Sequence, residues 1–373
     1  MLFCRVMNLD FLQHKLDERI NKGNIRKLPS FTGLVDFVSN DYLGLSGDLQ
    51  LASRIHERCI AEKVPNGGTG SRLLSGNHKW YEEVEDLMKS IFKAEDVLLF
   101  NSGYAANQAL VSSVADKGDT ILYDQLSHVC LKEGAWLSRA ETIAFRHNDL
   151  EDLESRLKRV EGRCFVLTET IFSMDGDVAP LEQIVSICEK YSAYLIVDEA
   201  HSTGVYGENG SGMLTEMKLD QRVFARVYTF GKGMGVHGAA VAGSKVLKDY
   251  LVNFGRPFIY TTSLPPHSVI SVAETFKFLS EKDHLQSELQ EKINLFRSNW
   301  TESSSHTAIQ PVMIGSNMKA RNVSKQLQEA GLDVRPILSP TVRSGTERLR
   351  ISLHVHNSHE EIIQLASLLK KLI

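Results

Sequence analysis

No apolar run in this chain approaches the roughly 18 residues that a helical membrane span needs. The longest, such as Val97-Leu98-Leu99-Phe100, are far shorter, so no membrane partner is expected. The start, Met1-Leu2-Phe3-Cys4-Arg5-Val6-Met7, lacks the apolar core and small-residue cleavage site of a signal peptide, which reads as a cytoplasmic terminus. Cysteine is sparse: five residues (Cys4, Cys59, Cys130, Cys164, Cys188) stand far apart with no CxxC pair. That pattern predicts reduced, packed thiols and no zinc site. There is no basic excess either, because 42 Lys and Arg against 46 Asp and Glu leave a net charge of −4. Nothing here marks a nucleic-acid binder. The glycine-rich stretch 66–76 lacks the Gly-Lys-Ser/Thr ending of a phosphate-binding P-loop, and no internal repeat or low-complexity linker occurs.

At 373 residues the chain can build one large domain and a smaller one. Leu9, Leu12, Leu16 and Ile20 recur at helical spacing and predict an amphipathic helix lying on the main body. Strands are then predicted at 36–38, 97–101, 120–124, 164–169 and 194–198, with helices over 103–114, 151–160 and 181–191. Such alternation implies a mostly parallel sheet covered on both faces. After Pro265-Pro266, long helical structure over 269–300 leads to strands at 308–314 and 348–353 and helices at 323–330 and 359–372. The division expected is 1–38 as an N-terminal helix and arm, 39–270 as the large domain and 271–373 as a small α/β domain.

One lysine draws the chemistry together. Lys232 follows a β-rich run, Arg226-Val227-Tyr228-Thr229-Phe230, and sits between Gly231 and Gly233. Taken alone it is a phosphate ligand, a covalent-catalysis amine or, most commonly, a solvated surface charge. Upstream, the apolar strand Tyr194–Val197 stops at Asp198, with His201 three residues on. Ligands collect at the carboxyl ends of parallel strands, so the two ends converge on one crevice. Ser102-Gly103-Tyr104 opens a helix after another strand, where free N–H groups and a partial positive charge suit a phosphate. His128 after a strand, Glu169 at a strand end, Ser173 in a turn and Asn40 in an Asn-Asp turn each have ordinary structural uses as well.

Six ordered motifs go further: Ser39-Asn40-Asp41-Tyr42-Leu43-Gly44-Leu45, Gly68-Thr69-Gly70-Ser71-Arg72, Ser102-Gly103-Tyr104-Ala105-Ala106-Asn107, Phe172-Ser173-Met174-Asp175-Gly176-Asp177, Asp198-Glu199-Ala200-His201 and Thr229-Phe230-Gly231-Lys232-Gly233. Together they resemble the α-oxoamine synthases, a branch of the fold-type I pyridoxal-phosphate enzymes with the aspartate aminotransferase-like fold. Members condense an amino acid with an acyl thioester and release carbon dioxide. The resemblance implies pyridoxal 5'-phosphate carried by Lys232, with Asp198 at the ring nitrogen, His201 at the phenolic oxygen and His128 stacked on the ring. Ser102, Gly103, Tyr104, Thr229 and a partner subunit's Thr262 would serve the phosphate, and Ser173 would contact the cofactor near His128 and the substrate. Asn40 and Glu169 would lie near the substrate, and Arg26 would help to hold the acyl group.

Ala308-Ile309-Gln310-Pro311 resembles the biotin-pathway branch, which implies L-alanine and a pimeloyl thioester, on coenzyme A or a carrier protein, as substrates of a homodimer with active sites at its interface. Two departures stand out. Tyr81 replaces the family's usual histidine, and Leu338 falls where an arginine usually clamps the amino-acid carboxylate, leaving Arg335 and Arg343 as substitutes. A glycine-using 2-amino-3-ketobutyrate ligase or a serine palmitoyltransferase-like enzyme is the alternative within the family. A non-catalytic pyridoxal-phosphate-binding protein is the alternative outside it.

Overall fold

The computed structural model describes residues 8–26, 28 and 33–373. Its centre is a seven-stranded sheet made of β1 (Asp96–Phe100), β2 (Thr120–Asp124), β3 (Glu141–Phe145), β4 (Cys164–Glu169), β5 (Tyr194–Asp198), β6 (Ala225–Thr229) and β7 (Ala239–Gly243). The spatial order is β1-β7-β6-β5-β4-β2-β3. Pairs β2–β3, β2–β4, β4–β5 and β5–β6 are parallel, whereas β7 runs antiparallel to both neighbours. Every residue of β4 is buried, the continuous apolar run expected of a strand covered on both faces. In register, Glu169 pairs with Asp198 and Asp198 with Val227, so the ends of β4, β5 and β6 share one edge.

Beyond this sheet, β8 (Ile309–Met313), β9 (Arg335–Ile337) and β10 (Arg348–Ser352) form an antiparallel sheet in the order β9-β10-β8. Val35–Asp36 pairs with Leu332–Asp333, which ties the segment carrying Asn40 to this smaller lobe. The last helix, His359–Leu372, begins at a capping box in which Ser358 and Glu361 satisfy each other's backbone N–H groups. One cluster of buried side chains runs from Phe37 through Phe276 to Leu369, so the lobes share a core. No helix among the described residues is long and apolar enough to cross a membrane, and Cys59, Cys130, Cys164 and Cys188 are free thiols.

Three expectations change. The N-terminal helix forms over Asp10–Asn21 but buries none of its residues; Leu9, Leu12, Leu16 and Ile20 remain exposed, because this chain offers their stripe no apolar surface. The long helical stretch is two helices, Pro266–Glu281 and His284–Asn299. The first packs on Leu49–Ala61 and Lys79–Ile91, and the second on His359–Leu372. Residue 270 lies within the first of these helices. Third, β7 closes an antiparallel pair with β6 around the lysine loop, a return that the glycine-rich 231–238 sequence conceals.

Candidate active site

A cleft of about 280 Å3 opens at the carboxyl edge of the large sheet, lined among others by Asn40, Ser102, Gly103, Tyr104, His128 and Lys232. Glu169, Asp198, His201 and Thr229 also reach it. A larger hollow, about 820 Å3, lies at the opposite edge beside Tyr194 and Phe224 and contains none of these groups.

Each wall has a local cause. Ser102 caps the helix Gly103–Val114, its Oγ accepting from the Ala105 N–H at 3.2 Å. The first N–H groups of that helix have no acceptor within it and face the cleft. Gly103 is required there, because a Cβ at this position would stand 2.3 Å from Thr229 Cγ2. One turn along, Asn107 donates from Nδ2 to Asp198 Oδ2 at 2.6 Å. The Ala200 N–H donates to Asp198 Oδ1 at 2.7 Å. Asp198 is thereby a buried carboxylate held at both oxygens.

Lys232 Nζ lies 2.9 Å from His201 Nε2, and His201 Nδ1 lies 2.7 Å from the Tyr42 hydroxyl. Tyr42 donates to Asn40 Oδ1 at 3.0 Å, so its oxygen accepts from His201 Nδ1 and leaves Nε2 to accept from the lysine. Burial, with the charges of Lys232 and Arg350, pushes His201 well below its ordinary value, keeping it neutral. Burial likewise lowers Lys232, and although Asp198 and Glu169 oppose the shift, the net direction favours the free amine. His128 is also lowered, by burial first and then by Lys232. Its Nδ1 accepts from the Cys130 N–H at 3.3 Å and lies 2.8 Å from Cys130 Sγ, which places the ring proton on Nε2. Glu169 accepts from the His128 N–H; burial and the nearby Asp198 raise it to about 8.

The remaining expected residues lie elsewhere. Ser173 is outside the cleft, its carbonyl accepting from Arg350 Nε at 2.6 Å. Thr262 is exposed, and its carbonyl accepts from Asn101 at 2.7 Å. Arg26 is exposed, Arg343 sits in an exposed turn, and Arg335 pairs with Asp333 at 2.6 Å. Arg350 bonds to a residue of the cleft wall, donating to Asn40 Oδ1 at 2.9 Å, and also donates to Ser352 Oγ at 2.9 Å. No carboxylate among the described residues pairs with it. Strand alternation places Arg348, Arg350 and Ser352 on one face, a signal present in the sequence. Asn107, four residues beyond Gly103 on one helix face, was legible in the same way. Asp36, His354 and His356 gather donor atoms within 4.8 Å outside the cleft; both His354 nitrogens already contact protein oxygens, Asn357 Oδ1 and the Ser39 carbonyl, each at 3.1 Å.

Comparison with known proteins places this geometry. The family profile "Aminotransferase class I and II" matches residues 32–369. An 8-amino-7-oxononanoate synthase of Methylobacillus flagellatus is 39% identical over 98% of this chain and 96% of the relative. Among solved structures, a serine palmitoyltransferase of Sphingomonas wittichii superposes with a TM-score of 0.89 at 28% identity, covering 98% of both chains. An 8-amino-7-oxononanoate synthase of Francisella tularensis superposes with a TM-score of 0.78 at 28% identity, covering 91% of this chain and 97% of that one.

Proposed function

The chain belongs to the class I and II aminotransferase family, and we propose that it joins L-alanine to a pimeloyl thioester, giving 8-amino-7-oxononanoate, carbon dioxide and the free thiol in the biotin pathway. The observation that carries this reading is the Lys232 amine, its proton affinity lowered by burial and its Nζ 2.9 Å from His201 Nε2, at the edge where Glu169 and Asp198 end adjacent strands.

Pyridoxal 5'-phosphate fits the cleft. A small residue is needed at Gly103 beside Thr229, a helix start presents free N–H groups, a carboxylate stands buried at Asp198, and burial lowers the proton affinity of the Lys232 amine. Lys232 would hold the cofactor aldehyde, Asp198 the ring nitrogen, His128 the ring face, and Ser102, Gly103, Tyr104 and Thr229 the phosphate. When bound, the cofactor supplies an electron sink for the pair left at the amino acid's Cα.

The chain's own groups then divide the work. Arg350, paired with no carboxylate among the described residues, binds the substrate carboxylate in this reading, in place of Arg335 and Arg343. Lys232 Nζ takes and returns the Cα proton, which a neutral amine does and an ammonium does not. His201 orients that amine through Nε2, and Tyr42 and Asn40 hold the histidine in turn. Glu169, protonated near neutrality, adds no second negative charge beside Asp198. In the overall reaction a carbon–carbon bond forms, the thioester carbon–sulfur bond breaks, and the carboxyl carbon departs as carbon dioxide. The enzyme works as a homodimer in this reading, with Thr262 serving the partner's site; its neighbour Tyr260 and the loop residue Leu74 are about four-fifths exposed on one chain.

Product analysis tests the reading. Purified protein is offered alanine, glycine or serine with pimeloyl-CoA, a pimeloyl carrier protein, acetyl-CoA or palmitoyl-CoA. Alanine with a pimeloyl thioester is the expected pair; preference for serine with a long-chain thioester would move the chain to the serine palmitoyltransferase branch.

A further inference from the structure

His147 lies outside the cleft, yet it joins two loops that shape it. Its Nδ1 is 2.9 Å from Asp124 Oδ1 and its Nε2 is 2.6 Å from Asp177 Oδ2. An ionised carboxylate only accepts, so a ring bonded to one at each nitrogen donates from both and is an imidazolium. Phe172 packs against it edge to face at 4.5 Å.

Both aspartates stand at organised backbone, Asp124 through its carboxylate and Asp177 through its main-chain carbonyl. Asp124, fully buried at the end of β2, accepts from the Leu126 N–H at 2.8 Å and the Asn148 N–H at 2.9 Å. Its carbonyl accepts from the Ser127 N–H at 2.9 Å. This is the turn that delivers His128. On the other side, the Phe172 N–H donates to the Asp177 carbonyl at 3.0 Å and closes the loop between them. Within that loop Asp175 pairs with Arg348, and the Ser173 carbonyl accepts from Arg350.

We propose that His147, by donating to Asp124 and Asp177 at once, is the positioning residue that fixes the His128 turn against the 172–177 loop, and so sets the spacing between the cofactor face and Arg350. The proposal rests on the roles given above to His128 and Arg350. The charged groups on the ring are Asp124 from β2 and Asp177 from the loop after β4; Phe172 and Asn148 are its neutral neighbours. Burial opposes the imidazolium charge, but the two carboxylates outweigh it and raise the group to about 9. A neutral ring donates from one nitrogen only. Alkaline pH therefore releases one of the two loops.

The test uses cofactor-loaded protein and two readouts, NMR titration of ring-labelled histidines and amino-acid affinity by calorimetry, both across pH. Wild type should show one imidazole titrating near 9, with affinity falling over the same range. Asp177→Asn, at a carboxylate one-third exposed and so tolerant of change, should move both midpoints down together by about one unit or more. His147→Gln should show no affinity loss centred there. A His147 signal, identified by its loss in His147→Gln, that titrates near the ordinary 6.5 in wild type, or a His147 midpoint that moves while the affinity midpoint does not, would overturn the proposal. Amino-acid affinity absent at every pH would instead overturn the reading of the cleft on which it rests.

Discussion

Asn107 and Asp198 form a buried pair, with the amide donating to one carboxylate oxygen at 2.6 Å while the Ala200 N–H holds the other at 2.7 Å. The arrangement fixes the carboxylate's direction before any cofactor enters. Asp198→Asn keeps the shape and removes the charge, so exchange of the alanine α-proton in deuterated water should slow by ~10²–10³-fold, the usual cost of losing one preorganised electrostatic partner. Asn107→Ala keeps the charge and loses one orienting bond. It should slow exchange by only about tenfold, the equivalent of roughly 1.4 kcal/mol. Equal rates in wild type and Asp198→Asn would refute the assignment.

Arg350 is predicted to carry amino-acid recognition. Arg350→Ala should raise the KM for alanine by ~10–100-fold, consistent with losing a charge-assisted pair worth about 1.5–3 kcal/mol. Arg335→Ala should leave it within about twofold, because an arginine exposed to this degree and already paired with Asp333 contributes little elsewhere. A steady-state KM series across Arg350, Arg335 and Arg343 variants checks the order.

Gly103 separates packing from chemistry. Gly103→Ala sets a Cβ against Thr229 Cγ2 at 2.3 Å, so the variant should fold yet lose cofactor on dialysis. Adding Thr229→Ser removes the obstructing methyl and should restore part of the retention. Cofactor absorbance after dialysis is the readout, and full retention by Gly103→Ala would show that the helix start does not approach the phosphate.

Glu169 makes a prediction about pH. Burial first, and then Asp198, raise the folded carboxyl from an ordinary 4.5 to about 8. The native state therefore holds a proton that the unfolded chain releases, so this group's contribution is fully present below about 4.5 and is lost as pH rises through about 8. Glu169→Gln keeps an acceptor for the His128 N–H and does not ionise. Urea unfolding at pH 5, 7 and 8.5 should show a shallower fall in stability for the variant than for wild type, and parallel curves would contradict the shift.

Much of this was legible in the order of residues. Buried parallel strands announce themselves as apolar runs, and a run ending at Asp198 or Glu169 marks the ligand edge of the sheet, so the placement of Lys232, His128 and His201 followed from local pattern and motif. What stayed hidden depends on contacts between distant segments. Tyr42 reaches His201 across 159 positions, and Arg350 reaches Asn40 across 310. Neither pair has a local signature. The family motif points to the loop around Leu338 for a carboxylate clamp, whereas Arg350 lies on a strand and donates to Ser173, Ser352 and Asn40 rather than to a carboxylate among the described residues. The helix Asp10–Asn21 shows the opposite failure: its periodicity was plain, but periodicity identifies an apolar face without naming the surface that covers it.

The most direct measurement concerns Lys232 itself. Cofactor-loaded protein is treated with borohydride, digested and mapped by mass spectrometry. The account predicts one pyridoxyl-modified peptide, with the modification on Lys232 and absent from Lys232→Ala; a modification on another lysine, or none in fully loaded protein, would contradict it.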